Sequence, residues 1–264
     1  MIGVFDSGVG GLSVLREIWA QLPDESTLYF ADTAHCPYGS RSAEEICDLA
    51  VRITDFLVQR GAQVVVVACN TASAAALHHL RERFSVPIVG MEPAVKPAAE
   101  RTRVGKVGVM ATPVTFQGEL FARLLERYAN GVEVLTQVCP GLVQQVEAGK
   151  LDDPETDRLL RLYLEPMVEA GVDSLVLGCT HYPFLREAIA RIVGPHVDII
   201  DPAPAVARQT ARVLEQHGLR AVERGPALRL FYTSGDPRAF EDIAGRLLGV
   251  PVHAEGIGNR ESRE

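Results

Sequence analysis

No apolar stretch in the sequence exceeds six residues; the longest runs from Val64 to Cys69. A membrane-spanning helix needs about 20, so no bilayer crossing is expected. Lysine is scarce: only 3 of the 26 basic residues are Lys. No basic run stands out against 34 acidic residues and a net charge of −8. Nothing here suggests a protein that tracks nucleic-acid phosphates. The five cysteines, Cys36, Cys47, Cys69, Cys139 and Cys179, contain no C-x-x-C pair. Zinc ribbons and paired-thiol redox motifs are therefore disfavoured. The opening MIGVFDSG lacks a cationic segment followed by a long apolar one. No secretory leader is expected, and a cytoplasmic location is the default expectation.

What is present is ordinary globular composition, 47% apolar and 23% charged over 264 residues. That length amounts to about 1.8 domains at ~150 residues each. Short β-branched runs alternate with helical patterns along the chain. Ile2–Phe5, Leu28–Ala31, Val64–Ala68, Ile88–Gly90, Val107–Met110, Val132–Thr136, Ser174–Leu177, Val197–Ile200 and Leu228–Tyr232 read as strands. Most are apolar without alternation, as in strands buried on both faces of a parallel sheet. Between them, Ile46, Leu49, Ala50, Ile53, Phe56 and Leu57 fall on one helical face, behind the capping-box pattern Ser42-Ala43-Glu44-Glu45. An α/β fold with open, mostly parallel sheets and helices on both faces follows. Ligands in such sheets bind beyond the carboxyl ends of the strands.

Two segments repeat one order of features. VVVVACNTASAAALHHLRERFSVPIVGMEPAV starts at Val64, and SLVLGCTHYPFLREAIARIVGPHVDIIDPAPAV starts at Ser174. Each runs strand, Cys, polar residues, helix, strand, acidic residue, Pro, Ala. Cys69 and Cys179 hold equivalent places. Two similar lobes are the simplest reading. The polar segments Lys96–Arg103 and Asp201–Pro204 mark the expected crossings between them. The first lobe would then comprise residues 1–95 and 205–255 and carry Cys69. The second would comprise 96–204 and carry Cys179. Residues 256–264 read as a frayed tail.

A cysteine between a buried strand and a helix N-terminus meets unpaired N–H groups and about half a positive charge. Both favour a thiolate, so Cys69 and Cys179 are expected to titrate nearer neutrality than a free thiol. Cys47 reads as structural, Cys139 lacks this context, and Cys36 stays open. Matched thiols on two lobes suit a disulfide exchanger, or a reaction that inverts a stereocentre with one acid/base group on each face. The Gly-rich turn Asp6-Ser7-Gly8-Val9-Gly10-Gly11 would let backbone N–H groups approach an anion such as a carboxylate. A dinucleotide fingerprint fits less well, because Ser13 stands where its third glycine belongs. A non-enzymatic metabolite sensor on the same fold is the reading from a different functional class.

Five segments together resemble the glutamate racemase family: DSGVGGLSV (6–14), ADTAHCPYGSRS (31–42), ACNTASA (68–74), GVMATPVT (108–115) and GCTHYPFL (178–185). The resemblance covers nearly the whole chain. It implies two α/β lobes related by pseudo-twofold symmetry, with the active site in the cleft between them. It implies cofactor-independent interconversion of L- and D-glutamate, supplying D-glutamate for peptidoglycan, with no metal. By this resemblance Cys69 deprotonates D-glutamate and Cys179 deprotonates L-glutamate. Asp6, His181 and Glu147 match supporting acid/base residues, with Asp32 a weaker candidate. Asp6, Ser7, Tyr38, Gly39, Asn70, Thr71, Thr180 and His181 match substrate-binding positions. Partners are then the two glutamate enantiomers, with neither nucleic acid nor membrane, and a homodimer is compatible with the family. Aspartate racemases are the nearest alternative; they typically carry an acidic residue where this chain has His181.

Overall fold

The computed structural model describes residues 1–221 and 226–257. Ten strands are described, in chain order β1 (Ile2–Asp6), β2 (Thr27–Ala31), β3 (Val64–Val67), β4 (Ile88–Val89), β5 (Lys106–Ala111), β6 (Glu133–Val138), β7 (Ser174–Leu177), β8 (Asp198–Ile200), β9 (Arg229–Thr233) and β10 (Ala254–Gly256). They form two separate sheets. One has the order β10-β9-β2-β1-β3-β4 and the other β6-β5-β7-β8. Every pairing is parallel. The order β2-β1-β3-β4 in the first sheet is repeated as β6-β5-β7-β8 in the second. The repeat read from two segments therefore extends to four strands in each sheet.

Alternation of side chains along the strands sorts the core into three layers. Phe5, Val65 and Val67 point to a layer shared with the helices Ala43–Gln59 and Asn70–Arg83. Val107, Val109 and Val176 point to a layer under Val95–Arg101 and Glu119–Tyr128. The opposite faces, with Val4 and Val66 from one sheet and Met110, Leu175 and Leu177 from the other, belong to one continuous core. Each fully buried aliphatic side chain contributes about 1.5–3 kcal/mol. That continuous core, which also takes in helical side chains such as Leu15, Leu160 and Ala207, joins the two sheets.

The helix behind the capping-box pattern spans Ala43–Gln59, and Ser42 Oγ accepts from the Glu45 N–H at 3.1 Å. The polar segment Lys96–Arg103 lies between β4 of the first sheet and β5 of the second, and the helix Val95–Arg101 occupies most of it and buries Val95 and Ala98. Pro97 sits in its first turn, where a missing N–H breaks no helical bond. The expected tail at 256–264 begins too early. Gly256 closes β10, and the Ile257 N–H donates to Thr233 O at 2.8 Å. Residues 258–264 lie outside the described residues. No described helix is long and apolar enough to cross a membrane.

Candidate active site

The carboxyl ends of β1 and β3 in the first sheet face the carboxyl end of β7 in the second, and the candidate residues lie there. Cys69 caps the helix Asn70–Arg83, with Sγ accepting from the Ala72 N–H at 3.4 Å. Cys179 follows β7 but does not cap an α-helix. A 3₁₀ turn, Tyr182–Leu185, intervenes before the helix Arg186–Val193. The partner of Cys179 is instead His181, whose Nδ1 lies 3.7 Å from Sγ. Both thiols are buried.

His181 is 2% exposed, and its Nε2 lies 2.6 Å from Glu147 Oε1. The same oxygen accepts from the Val9 N–H at 2.8 Å. Burial opposes a charge on His181, but contacts with Cys179, Cys36 and Glu147 outweigh it and raise its pKa well above the usual value. Burial likewise opposes the Glu147 carboxylate, yet His181 and the Val9 N–H hold its pKa below the ordinary range. The two directions agree on an imidazolium–carboxylate pair.

Asp6 ends β1 and is fully buried. Its Oδ2 accepts from the N–H groups of Gly8 at 3.2 Å and Gly11 at 3.0 Å. Its Oδ1 has a longer contact, 3.4 Å from Thr180 Oγ1. Burial raises the Asp6 pKa, offset in part by His181. The expected role of the glycine-rich turn therefore changes. Its N–H groups hold two anions that the chain itself supplies, Asp6 and Glu147. Glycine is needed because a Cβ on Gly8 would overlap the Glu147 carboxylate, and one on Gly10 would overlap the His181 ring.

The expectation of a lowered Cys69 pKa is also overturned. Burial pushes the Cys69 thiol well above its usual value, and the neighbouring Asp6 adds to this; the Ala72 N–H opposes them without prevailing. Desolvation exceeds what one helix N-terminus can return. Cys179 is close enough for its charge to act on Cys69 as well.

The remaining candidates surround this centre. Ser7 is buried beside Asp6. Thr71 Oγ1 lies 2.9 Å from Thr112 Oγ1, which lies 3.0 Å from Thr115 Oγ1. Gly39 packs on Thr112, where a Cβ would approach to 3.1 Å. Ser13 Oγ ties the turn to the second sheet, donating to Thr180 O at 3.0 Å. Tyr38 is buried, but its hydroxyl is committed to Asp32 Oδ2 at 2.5 Å. Asp32 also contacts His35 Nδ1 at 2.8 Å and Ser234 Oγ at 2.6 Å, so it anchors this loop. Asn70 stands out: among the described residues, neither end of its buried side-chain amide has a hydrogen-bond partner. An orphaned buried polar atom costs about 1–3 kcal/mol, and a ligand with complementary groups would recover that cost.

A profile of the family described as Asp/Glu/Hydantoin racemase matches residues 2–210. The glutamate racemase of Pseudomonas aeruginosa is 54% identical over 258 residues, which are 97% of this chain and 96% of the relative. The crystal structure of glutamate racemase isoform RacE1 from Bacillus anthracis superimposes with a TM-score of 0.88 at 37% identity, covering 97% of each chain. That of glutamate racemase from Francisella tularensis, in complex with D-glutamate, gives 0.84 at 30% identity over 97% of this chain and 96% of that one.

The chain belongs to the Asp/Glu/hydantoin racemase family. Against that membership, sequence reasoning missed several residues of this racemase. Cys36 had no assigned part, yet its Sγ, a Glu147 oxygen and a His181 ring nitrogen all lie within 4.8 Å of one another. Burial pushes its pKa up to about 11. Thr112 and Ser13 link the sheets, and the Tyr29 hydroxyl donates to Gly8 O at 2.7 Å to hold the turn. Only the motif GVMATPVT pointed toward Thr112. Cys47 is half-buried on the helix Ala43–Gln59 and Cys139 is buried at the end of β6. His78 is exposed on a helix surface, paired with Glu82.

Proposed function

We propose that this racemase interconverts L- and D-glutamate without a cofactor, by proton transfer at Cα between Cys69 and Cys179. The observation that carries the reading is the equivalence of the two thiols. Each follows the same strand of a four-strand unit repeated in both sheets, and Cys69 lies within the field of Cys179. A substrate held between them presents one face of Cα to each thiol. One thiolate removes the proton, the other thiol delivers one to the opposite face, and the enantiomer exchanges the roles.

In this reading Cys69 deprotonates D-glutamate and Cys179 deprotonates L-glutamate. Asp6, made less acidic by burial, is suited to share a proton with Cys69. His181, fixed by Glu147, is suited to do so with Cys179. Ser7, Thr71, Thr180 and the unpartnered Asn70 amide offer neutral donors to the substrate carboxylates, and Asp6 Oδ1 offers an acceptor to the ammonium. Tyr38 and Gly39 close the site from the Asp32-anchored loop. Donors fixed in a dry site favour the charge that develops on the enolate oxygens.

We further divide the chain into lobes of residues 1–95 with 205–255 and residues 96–204, and place the enzyme in the cytoplasm as a source of D-glutamate for peptidoglycan. A homodimer is compatible with this reading. The test is solvent deuterium at Cα: both glutamate enantiomers acquire it in heavy water with no added cofactor, whereas a metabolite sensor produces none. Loss of optical rotation faster with L-aspartate than with L-glutamate would reassign the substrate.

A further inference from the structure

Cys36 is a thiol that the proposed proton transfer does not use, yet it stands against the groups that position Cys179. It lies in the loop after β2, while Glu147 and His181 come from the part of the chain that forms the second sheet. We propose that Cys36, Glu147 and His181 form a binding site for a soft divalent cation of the Zn²⁺ class, and that occupation of this site inhibits the enzyme. The inhibition rests on the racemase reading; the binding does not.

The donor set is a thiol sulfur, an imidazole nitrogen and a carboxylate oxygen, all mutually within 4.8 Å. These are the ligand types Zn²⁺ takes, and three protein ligands leave a fourth position for water. Tetrahedral coordination at ordinary bond lengths sets the N···O separation at about 3.3 Å and the S···N separation at about 3.6 Å. The His181–Glu147 contact, now 2.6 Å, would open by about 0.7 Å, and Cys36, within 4.8 Å of both partners, would close by about 1.2 Å at most. Glu147 is 21% exposed and Cys36 half-buried, so two of the three ligands reach solvent. The carboxylate already accepts from the Val9 N–H, the kind of supporting bond that orients a metal ligand.

Binding replaces the Cys36 thiol proton and the proton held between His181 and Glu147, and both leave to solvent. His181 is then no longer free to move a proton at Cys179. The ion also ties the Cys36 loop to the opposite sheet.

The test uses the full chain freed of metal by a chelator. Co²⁺ is the spectroscopic probe and Zn²⁺ the inhibitor, with Cys36→Ser and Cys36→Ala compared with the parent. The parent is expected to bind one Co²⁺ with a thiolate charge-transfer band and to lose racemisation on adding Zn²⁺. Loss of a supporting residue around a metal typically weakens binding by about 10–100-fold, and loss of a ligand should cost at least that. Both variants should therefore lose the band and, relative to each variant's own metal-free rate, need at least about tenfold more Zn²⁺ for inhibition. A band and a Zn²⁺ sensitivity unchanged in both variants would place the metal on Cys69 and Cys179 and overturn the proposal. Absence of any Co²⁺ band in the parent would overturn it too. A metal-free parent with no racemisation would instead count against the racemase reading, with the Co²⁺ spectra still deciding the site.

Discussion

Asp6 and Ala111 occupy equivalent places in the two sheets, and only one of them is an acid. Asp6 follows Phe5, which pairs with Val67, two residues before Cys69. Ala111 follows Met110, which pairs with Leu177, two residues before Cys179. By the same register Thr71 corresponds to His181. The scaffold is therefore symmetric while the proton-handling groups are not. Cys69 has a buried carboxylate beside it, and Cys179 has an imidazole backed by Glu147.

The Asp6 charge is one of the causes that raise the Cys69 pKa. Asp6→Asn should therefore shift the Cys69 titration to lower pH. The check is the pH dependence of iodoacetamide alkylation at Cys69, followed by peptide mass spectrometry. An unchanged or higher midpoint would mean that burial alone sets the thiol.

The His181–Glu147 pair has a definite pH signature. The His181 pKa is raised on folding, so its contribution is fully present below the unfolded value of about 6.5 and is lost as pH rises through the folded value. The Glu147 pKa is depressed, so its contribution is present above about 4.5 and is lost as pH falls through the folded value. Both operate fully between about pH 4.5 and 6.5. Glu147→Gln should cost about 2 kcal/mol there, less than for a fully buried pair because Glu147 is partly exposed. Thermal unfolding from pH 3.5 to 8 should show the Tm gap between parent and variant widest in that window. A gap that does not vary with pH would remove the ion pair from the account.

Gly10→Ala tests the close approach of the turn to the second sheet. A Cβ there would overlap the His181 ring and come within 2.7 Å of Thr180 Oγ1. His181 is buried, with its two ring nitrogens against Cys179 and Glu147. The substitution should destabilise the fold by about 1–3 kcal/mol and depress racemisation beyond what the lost stability explains. Denaturant unfolding and initial rates on the same preparation separate the two effects.

Much of the fold was legible because strands buried on both faces leave unbroken apolar runs; Val64–Val67 is one. β10 left no such mark. Ala254-Glu255-Gly256 is a sheet-edge strand with almost no apolar side chain. The helix Val95–Arg101 left little mark either, because polar side chains and Pro97 surround its two buried positions, Val95 and Ala98. The equivalence of Cys69 and Cys179 was legible from local order alone. What the turn binds was not, since Val9 and Glu147 lie 138 residues apart, and no local pattern reports such a contact. Cys36 was obscured in the same way. The Cys69 titration was misread because a helix N-terminus shows in sequence, whereas desolvation depends on everything packed around the thiol.

The two-thiol account is tested most directly by racemisation in heavy water, comparing the parent with Cys69→Ser and Cys179→Ser. Loss of one acid/base group typically costs about 10²–10⁴-fold. The account predicts a fall of that size in both serine variants, with circular dichroism unchanged and full activity retained when Cys47 or Cys139 is replaced. Undiminished deuterium incorporation with inversion in either Cys69→Ser or Cys179→Ser would contradict it.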